Sequence, residues 1–218
     1  MRVRTLSLHR SCALKSGWRG LPGTRDASRI SEPDSFGDTT GYFFLFWLPE
    51  YLVSQHFSLS AVGAIGWIPF CFNDAGALLG GYVSGRLIGP LCGPVRSRKV
   101  VMSCAALFVI AGTMVQQAET VPAVLLSVSL CTFGVGVWSS NLHSVAADAF
   151  PHSVVATVHG IAGCAGSIGG ILFNTLVGHF AVKGEYAVIF LVLALLQPAG
   201  IAPLWLWLPH RLEDGNRN

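Results

Sequence analysis

Charge is what this sequence has least of. Lys, Arg, Asp and Glu together make 11% of its 218 residues, against about a quarter in an ordinary soluble domain. Hydrophobic residues make 52%, and mean hydropathy is +0.57. A chain this apolar excludes intrinsic disorder and argues against a soluble globular domain. The net charge of +3 is small and forms no continuous basic stripe, so no nucleic acid is expected as a partner. The 25 glycines and 11 prolines follow no three-residue period, which excludes collagen. The cysteines (Cys12, Cys71, Cys92, Cys104, Cys131 and Cys164) form no Cys-x-x-Cys pair and have no His at metal-ligand spacing. They read as small buried hydrophobes, and neither a metal nor another cofactor is expected. Catalytic motifs are missing too: no G-x-S-x-G, H-E-x-x-H, Walker loop or G-x-G-x-x-G. Ser139, His143 and Asp148 lie near one another in the chain, but nothing marks a nucleophile or an oxyanion hole. No catalytic residue is assigned, and no enzyme is expected.

What is present is a series of long apolar runs. A helix needs roughly 20 mostly apolar residues to cross a bilayer. Six spans fit: Thr39–Ser54, Leu59–Ile88 (interrupted by Asn73 and Asp74), Val100–Val115, Val121–Ala147, Val154–Val182 and Tyr186–Leu208. The first is short, with Pro49 and Glu50 near its far end. The connections are short and polar, and Pro122, Pro151 and Pro209 punctuate span ends. These lengths fit helices and not the strands of an outer-membrane barrel. The expected class is an all-α, multi-pass integral membrane protein of six transmembrane helices, with the lipid bilayer as its first partner.

Basic residues set the orientation. Seven lie ahead of the first span; Arg86, Arg96, Arg98 and Lys99 follow the second; Arg211 and Arg217 follow the sixth. The opposite side holds Lys183 alone. Both termini are therefore expected in the cytoplasm, with a cell (inner) membrane as the location. Residues 1–38 have no apolar signal-peptide core and read as a polar, basic cytoplasmic segment, disordered or a misassigned start. Residues 39–208 form the membrane domain, and residues 209–218 a cytoplasmic tail.

Polar residues inside spans face a cavity or the bundle interior by default. Asp74 is the one acid deep in a span: a coupling carboxylate or a structural one. Asp148 ends the fourth span. Ser139, Asn141 and His143 form a polar patch, in which Asn141 meets either a substrate or a neighbouring helix. Asn174 is isolated among apolar residues. Tyr42, Phe46 and Trp47 put an aromatic face on the first span that suits a sugar ring, whereas Phe43 and Phe44 read as interface anchors. Glycines dominate the second and fifth spans, including Gly76-xxx-Gly80, Gly81-xxx-Gly85 and the run Gly160 to Gly170. They permit close helix approach.

These residues also carry a resemblance. Gly41 to Leu52 reads Gly-Tyr-Phe-Phe-Leu-Phe-Trp-Leu-Pro-Glu-Tyr-Leu. It resembles the start of the seventh helix in major facilitator transporters of the anion:cation symporter family, nearest to hexuronate-type members. Phe57-Ser58-Leu59, Trp67 to Phe70, Asp74 to Gly76 and Gly80 to Ile88 resemble that family's eighth helix and the cytoplasmic loop motif after it. Arg98-Lys99 follows. Asn141, Asp148 to Pro151 and the Gly160–Gly170 run resemble its tenth and eleventh helices. The resemblance covers roughly residues 41 to 208. It implies the C-terminal six-helix bundle of the major facilitator fold, and proton- or sodium-coupled transport of a small organic anion, a sugar acid such as a hexuronate, by alternating access. It implies substrate binding by Tyr42, Trp47, Ser139, Asn141 and Asn174. Gly81, Arg86, Arg98 and Lys99 would act at the cytoplasmic gate, with Asp74 and Asp148 as coupling or structural acids. Two departures stand out: Gly85 replaces the loop motif's acid, and no Arg or Lys lies deep in a span to pair with an anion. The chain reads as an incomplete half-transporter, lacking an N-terminal half or working with a second copy. The rival reading is a non-transporting membrane protein that associates with partner helices.

Overall fold

A computed structural model describes residues 24–55, 57–89, 93–110, 115, 117–118, 120–150 and 152–207. Residues 1–23 of the expected basic arm and the tail 209–218 lie outside the described residues. The described part is all α: α1 (Thr24–Ser54), α2 (Leu59–Ile65), α3 (Ile68–Leu87), α4 (Pro94–Ile110), α5 (Val121–Ala149), α6 (His152–Ala181) and α7 (Tyr186–Trp207). Among the described residues, four stretches are long and apolar enough to cross a membrane: Leu59–Leu87, Val121–Ala149, Val155–Ala181 and Tyr186–Leu206.

Several boundaries differ from the sequence reading for identifiable reasons. The first helix begins at Thr24, fifteen residues ahead of the expected span, so the segment assigned to a cytoplasmic arm is helical from there on. The second span is broken at Gly66–Trp67 and not at Asn73–Asp74. Pro69 explains the position: it has no N–H to continue the ladder, and its ring demands a first-turn site, which it occupies in α3. Asn73 and Asp74 lie inside continuous helix. Helix α4 starts at Pro94, so Arg96, Arg98 and Lys99 belong to its first turns and not to a loop.

Packing is widest between α3 and α5, α1 and α6, and α4 and α5, followed by α1 with α7. Two apolar clusters stack along the bundle. One joins Val95, Met102, Trp138, Leu142, Val145, Ala162 and Leu204. The other joins Phe43, Leu48, Leu52, Val109, Val128, Phe173, Phe190 and Leu193. Phe43 and Phe44 are thus core residues and not interface anchors: Phe43 packs edge-on against Phe190, their centroids 5.5 Å apart. Of the cysteines, Cys131 is buried as expected, but Cys71, Cys104 and Cys164 are exposed, and all four are free. Cys12 and Cys92 lie outside the described residues.

Glycine sets the closest approach. A Cβ on Gly76 would overlap the Phe133 carbonyl, and one on Gly136 would overlap the Asn73 carbonyl. Lipid offers no hydrophobic drive between helices, so such contact is held by van der Waals packing. The other expected small-residue faces behave differently. Gly81, Gly85, Gly160 and Gly163 have open space where a Cβ would stand.

Candidate functional site

A wide cleft lies between α1 and α6. It holds about 760 Å³ and is lined by Tyr42, Phe46, Trp47, Glu50, Ser167, Gly170, Ile171, Asn174 and Thr175. Helical spacing explains the wall on α1: Tyr42, Phe46 and Glu50 recur every fourth residue, with Trp47 beside them. On α6, Ser167, Ile171 and Thr175 recur every fourth residue, with Gly170 and Asn174 four apart beside them. The Tyr42 and Phe46 rings stack with centroids 6.1 Å apart and planes 14° apart. Tyr42 lies against α6 because residue 170 has no side chain, so a Cβ there would stand 2.5 Å from its ring.

Trp47 and Asn174 meet in this wall. The indole Nε1–H donates to Asn174 Oδ1 at 2.7 Å, and Asn174 Nδ2 donates to the Gly170 carbonyl at 2.8 Å. An indole N–H only donates, so the two bonds together fix which way the amide points. They leave one N–H and one lone pair of Asn174 uncommitted. Ser167 and Thr175 turn their hydroxyl protons onto the Gly163 and Ile171 carbonyls at 2.8 and 2.9 Å, which leaves oxygen lone pairs as acceptors. The wall therefore offers a flat indole and a row of hydrogen-bonding groups that are neutral except for Glu50. That combination suits a polyhydroxylated molecule better than a purely apolar one.

Two smaller clefts adjoin. One of about 310 Å³ is lined by Gly41, Tyr42, Phe44, Leu45, Phe70, Asn73, Thr132, Val135 and Ser139. Ser139 thus shares Tyr42 with the main groove without lying in it. The other, about 550 Å³, joins Tyr42, His159, Gly163, Cys164 and Ser167. His159 meets His143 edge-on, 5.5 Å between ring centroids.

Asn141, grouped with these residues from the sequence, is elsewhere. It is fully buried, lies beside Gly80 of α3, and donates to the Val137 carbonyl one turn back at 2.8 Å. It lines none of the three clefts described. Asp74 is exposed on α3, away from the α5 contact. Phe46 was read into the aromatic face from the sequence, Glu50 was noted only near the span's far end and Gly170 only within the glycine run, and Ser167 and Thr175 were not singled out. The available signal for the last two was their place beside Asn174: Ser167 lies seven residues before it, two turns along the same face, and Thr175 directly follows it.

The comparisons with known proteins bear on this arrangement. The model of the Major Facilitator Superfamily matches residues 35–174, well over half of the chain. The chain belongs to the Major Facilitator Superfamily. Among its relatives, the hexuronate transporter of Escherichia coli strain K12 is 26% identical over 169 residues, covering 76% of this chain and 39% of the relative. A probable L-galactonate transporter of the same strain is 32% identical over 121 residues, 53% of this chain and 26% of the relative. A probable galactarate/D-glucarate transporter is 27% identical over 145 residues, 66% of this chain and 32% of the relative. The chain spans about two fifths, or less, of the length of these relatives. All three are named as transporters and none as an enzyme, and the hexuronate-type resemblance drawn from the sequence has its counterpart here.

At one end of this Major Facilitator bundle the basic residues form a network. Arg98 Nε pairs with Asp148 Oδ2 at 2.5 Å, tying α4 to α5. Arg98 Nη1 also donates to Ser84 Oγ on α3 at 3.2 Å, and Ser97 Oγ donates to the Ser84 carbonyl. Three helix ends are thus joined. Lys99, expected at the cytoplasmic gate, is fully buried, with its ammonium 5.4 Å from the centre of the Trp205 ring on α7. Arg86 stays exposed and covers the Tyr82 ring at 4.9 Å. Gly81 lends its carbonyl to Ser84 Oγ at 3.0 Å.

Proposed function

We propose that this chain is part of a secondary active transporter for sugar acids, with the α1–α6 groove as the substrate-binding wall of its half. The observation that carries this reading is the Trp47–Asn174 hydrogen bond inside the groove. It holds an indole face ready for a sugar ring and keeps an amide donor and acceptor at its edge. The relatives' names point to the same chemistry, since hexuronate, galactonate and galactarate are all polyhydroxylated organic anions. Tyr42, Trp47 and Asn174 bind the hydroxylated carbon skeleton, and Ser139 contributes from the adjoining cleft.

The Arg98–Asp148–Ser84 network marks the cytoplasmic end, because the basic residues cluster there. Both termini are then cytoplasmic, and a cell inner membrane is the location. This network holds the three helix ends together in one state and opens in another. Asp148 is thereby a structural acid. Of the two acids singled out from the sequence, Asp74, exposed on α3, is the one left for proton or sodium coupling. The site is completed by a second six-helix unit, either an N-terminal half or another copy of this chain, and that unit brings the positive charge that pairs with the substrate's carboxylate.

The test is binding and uptake of radiolabelled D-glucuronate by the chain reconstituted in liposomes, with a pH or sodium gradient imposed. Asn174→Ala and Trp47→Ala should each lower binding at least tenfold. Asp74→Asn should abolish the gradient dependence while leaving equilibrium binding. Helix association without binding or flux would overturn the proposal in favour of a non-transporting membrane protein.

A further inference from the structure

We infer that Glu50 is a charge filter in the groove, admitting singly charged sugar acids and rejecting doubly charged ones. This rests on the groove being the substrate site. Among the nine lining residues Glu50 is the one with a formal charge, and that charge is negative. It lies one turn beyond Trp47 on the same wall, and among the described residues neither a hydrogen bond nor an ion pair engages its carboxylate. It is exposed to the cleft, so it is not a core residue kept for packing.

A carboxylate accepts hydrogen bonds and donates none. Its two oxygens can take both protons of a vicinal diol, and such charge-assisted bonds are stronger than neutral ones. Glu50 therefore rewards a hydroxylated end at the Trp47–Asn174 end of the groove. It repels a carboxylate placed there, and specificity built on repulsion is as effective as specificity built on contact. A monoanion such as a hexuronate or aldonate binds with its carboxylate turned away from Glu50. An aldarate carries a carboxylate at each end, so neither orientation avoids the clash. The relatives include transporters named for both kinds of substrate, and Glu50 places this chain with the monoanion kind.

The experiment compares D-glucuronate with D-glucarate, which share a six-carbon skeleton; glucarate has a second carboxylate in place of the C1 aldehyde that closes the glucuronate ring. Equilibrium binding of each is measured at pH 7.5 to the full chain in lipid nanodiscs, for the unaltered protein and for Glu50→Gln, Glu50→Asp and Asn174→Ala. The unaltered chain should prefer glucuronate at least tenfold, or about 1.4 kcal/mol. Glu50→Gln should weaken glucuronate and strengthen glucarate, moving the ratio tenfold toward unity. Glu50→Asp should keep the preference. A ratio within twofold of the original in Glu50→Gln, with binding otherwise intact, overturns the filter. So does an equal loss of both ligands, which would mark a structural role. If Asn174→Ala weakens both ligands while Glu50→Gln leaves the ratio alone, the groove stands and the filter falls. If the unaltered chain binds neither, the groove reading fails and takes the filter with it.

Discussion

Gly136→Ala and Gly81→Ala add the same methyl group to mid-helix positions, yet they should move stability in opposite directions. A Cβ on Gly136 stands 2.9 Å from the Asn73 carbonyl carbon and 3.0 Å from the Ala77 nitrogen, besides overlapping the Asn73 oxygen. All three are backbone atoms of α3, so no rotamer change relieves the clash. Carbon atoms settle about 3.5–4.0 Å apart, so α3 and α5 must separate by roughly 1 Å; a gap of that size forfeits a quarter to a half of each neighbouring contact's dispersion energy. Overpacking of this kind costs about 1–3 kcal/mol, and a backbone-on-backbone clash belongs at the upper end. Gly81 has nothing within 4 Å of its would-be Cβ. Alanine there gains the helix preference over glycine, about 0.5–1 kcal/mol. The two variants should therefore differ by roughly 3–4 kcal/mol, the sum of those two effects. Reversible SDS unfolding of the micelle-embedded chain, followed by circular dichroism, measures this directly. A difference under about 0.5 kcal/mol, the size of an ordinary surface change, would refute the assigned α3–α5 packing.

Other consequences follow from single contacts. Arg98→Ala and Asp148→Ala should each destabilise the chain, and a double-mutant cycle between them should give a coupling of about 1–2 kcal/mol, between exposed and fully buried pairs; their side chains are 15% and 26% exposed. Additive losses would show the pair to be idle. Gly170→Ala meets only the Tyr42 ring, which can swing aside, so its unfolding should stay within about 1 kcal/mol of the original while glucuronate binding falls at least fivefold. Equal retention of binding would remove Tyr42 from the site. A thiol-specific maleimide should label Cys71, Cys104 and Cys164 in the folded chain and spare Cys131, which is buried. Mass-spectrometric mapping that finds Cys131 modified at a similar rate would contradict the described core.

Much of the architecture was legible because it follows from one variable, the length of apolar runs. The errors arose where a second variable decided. Asn73 and Asp74 looked like an interruption because they are polar, yet polarity does not break a helix; a missing N–H at Pro69 does. Arg96, Arg98 and Lys99 looked like a loop, yet long basic side chains find partners from within a first helical turn, and these find Asp148 and Trp205. Within the site, Tyr42, Trp47 and Asn174 could be found because an amide and an aromatic hydroxyl are costly in lipid without a purpose. Asn141 has the same signature and a different fate. Its donor closes locally on the Val137 carbonyl, and Gly80 makes room for it. Which face of α5 it occupies depends on how α3 docks, and a single helix's sequence does not encode that. Glu50 was visible as a charge near a span end, but its place in the groove required knowing that α1 and α6 lie side by side.

Tyr42 joins what the packing otherwise keeps apart. The groove is built by α1 and α6, whereas the Arg98 network joins α3, α4 and α5. Contact between α5 and α6 is slight, so the two groups meet where α7 packs on α4 and where α1 crosses α5. Tyr42 stands at that crossing. Its ring rests on Gly170 of α6, stacks on Phe46 of its own helix, and lines both smaller clefts as well as the groove. One of those clefts reaches Asn73 and Thr132, at the seam where α3 meets α5: Asn73 Nδ2 donates to the Thr132 carbonyl at 3.2 Å. A ligand that shifts the Tyr42 ring therefore changes packing at the α6 wall and the shape of the cleft that reaches the α3–α5 seam. If Tyr42 holds the substrate's ring as proposed, it is by position also the residue that can report the substrate's presence to the helices carrying the ion-pair network.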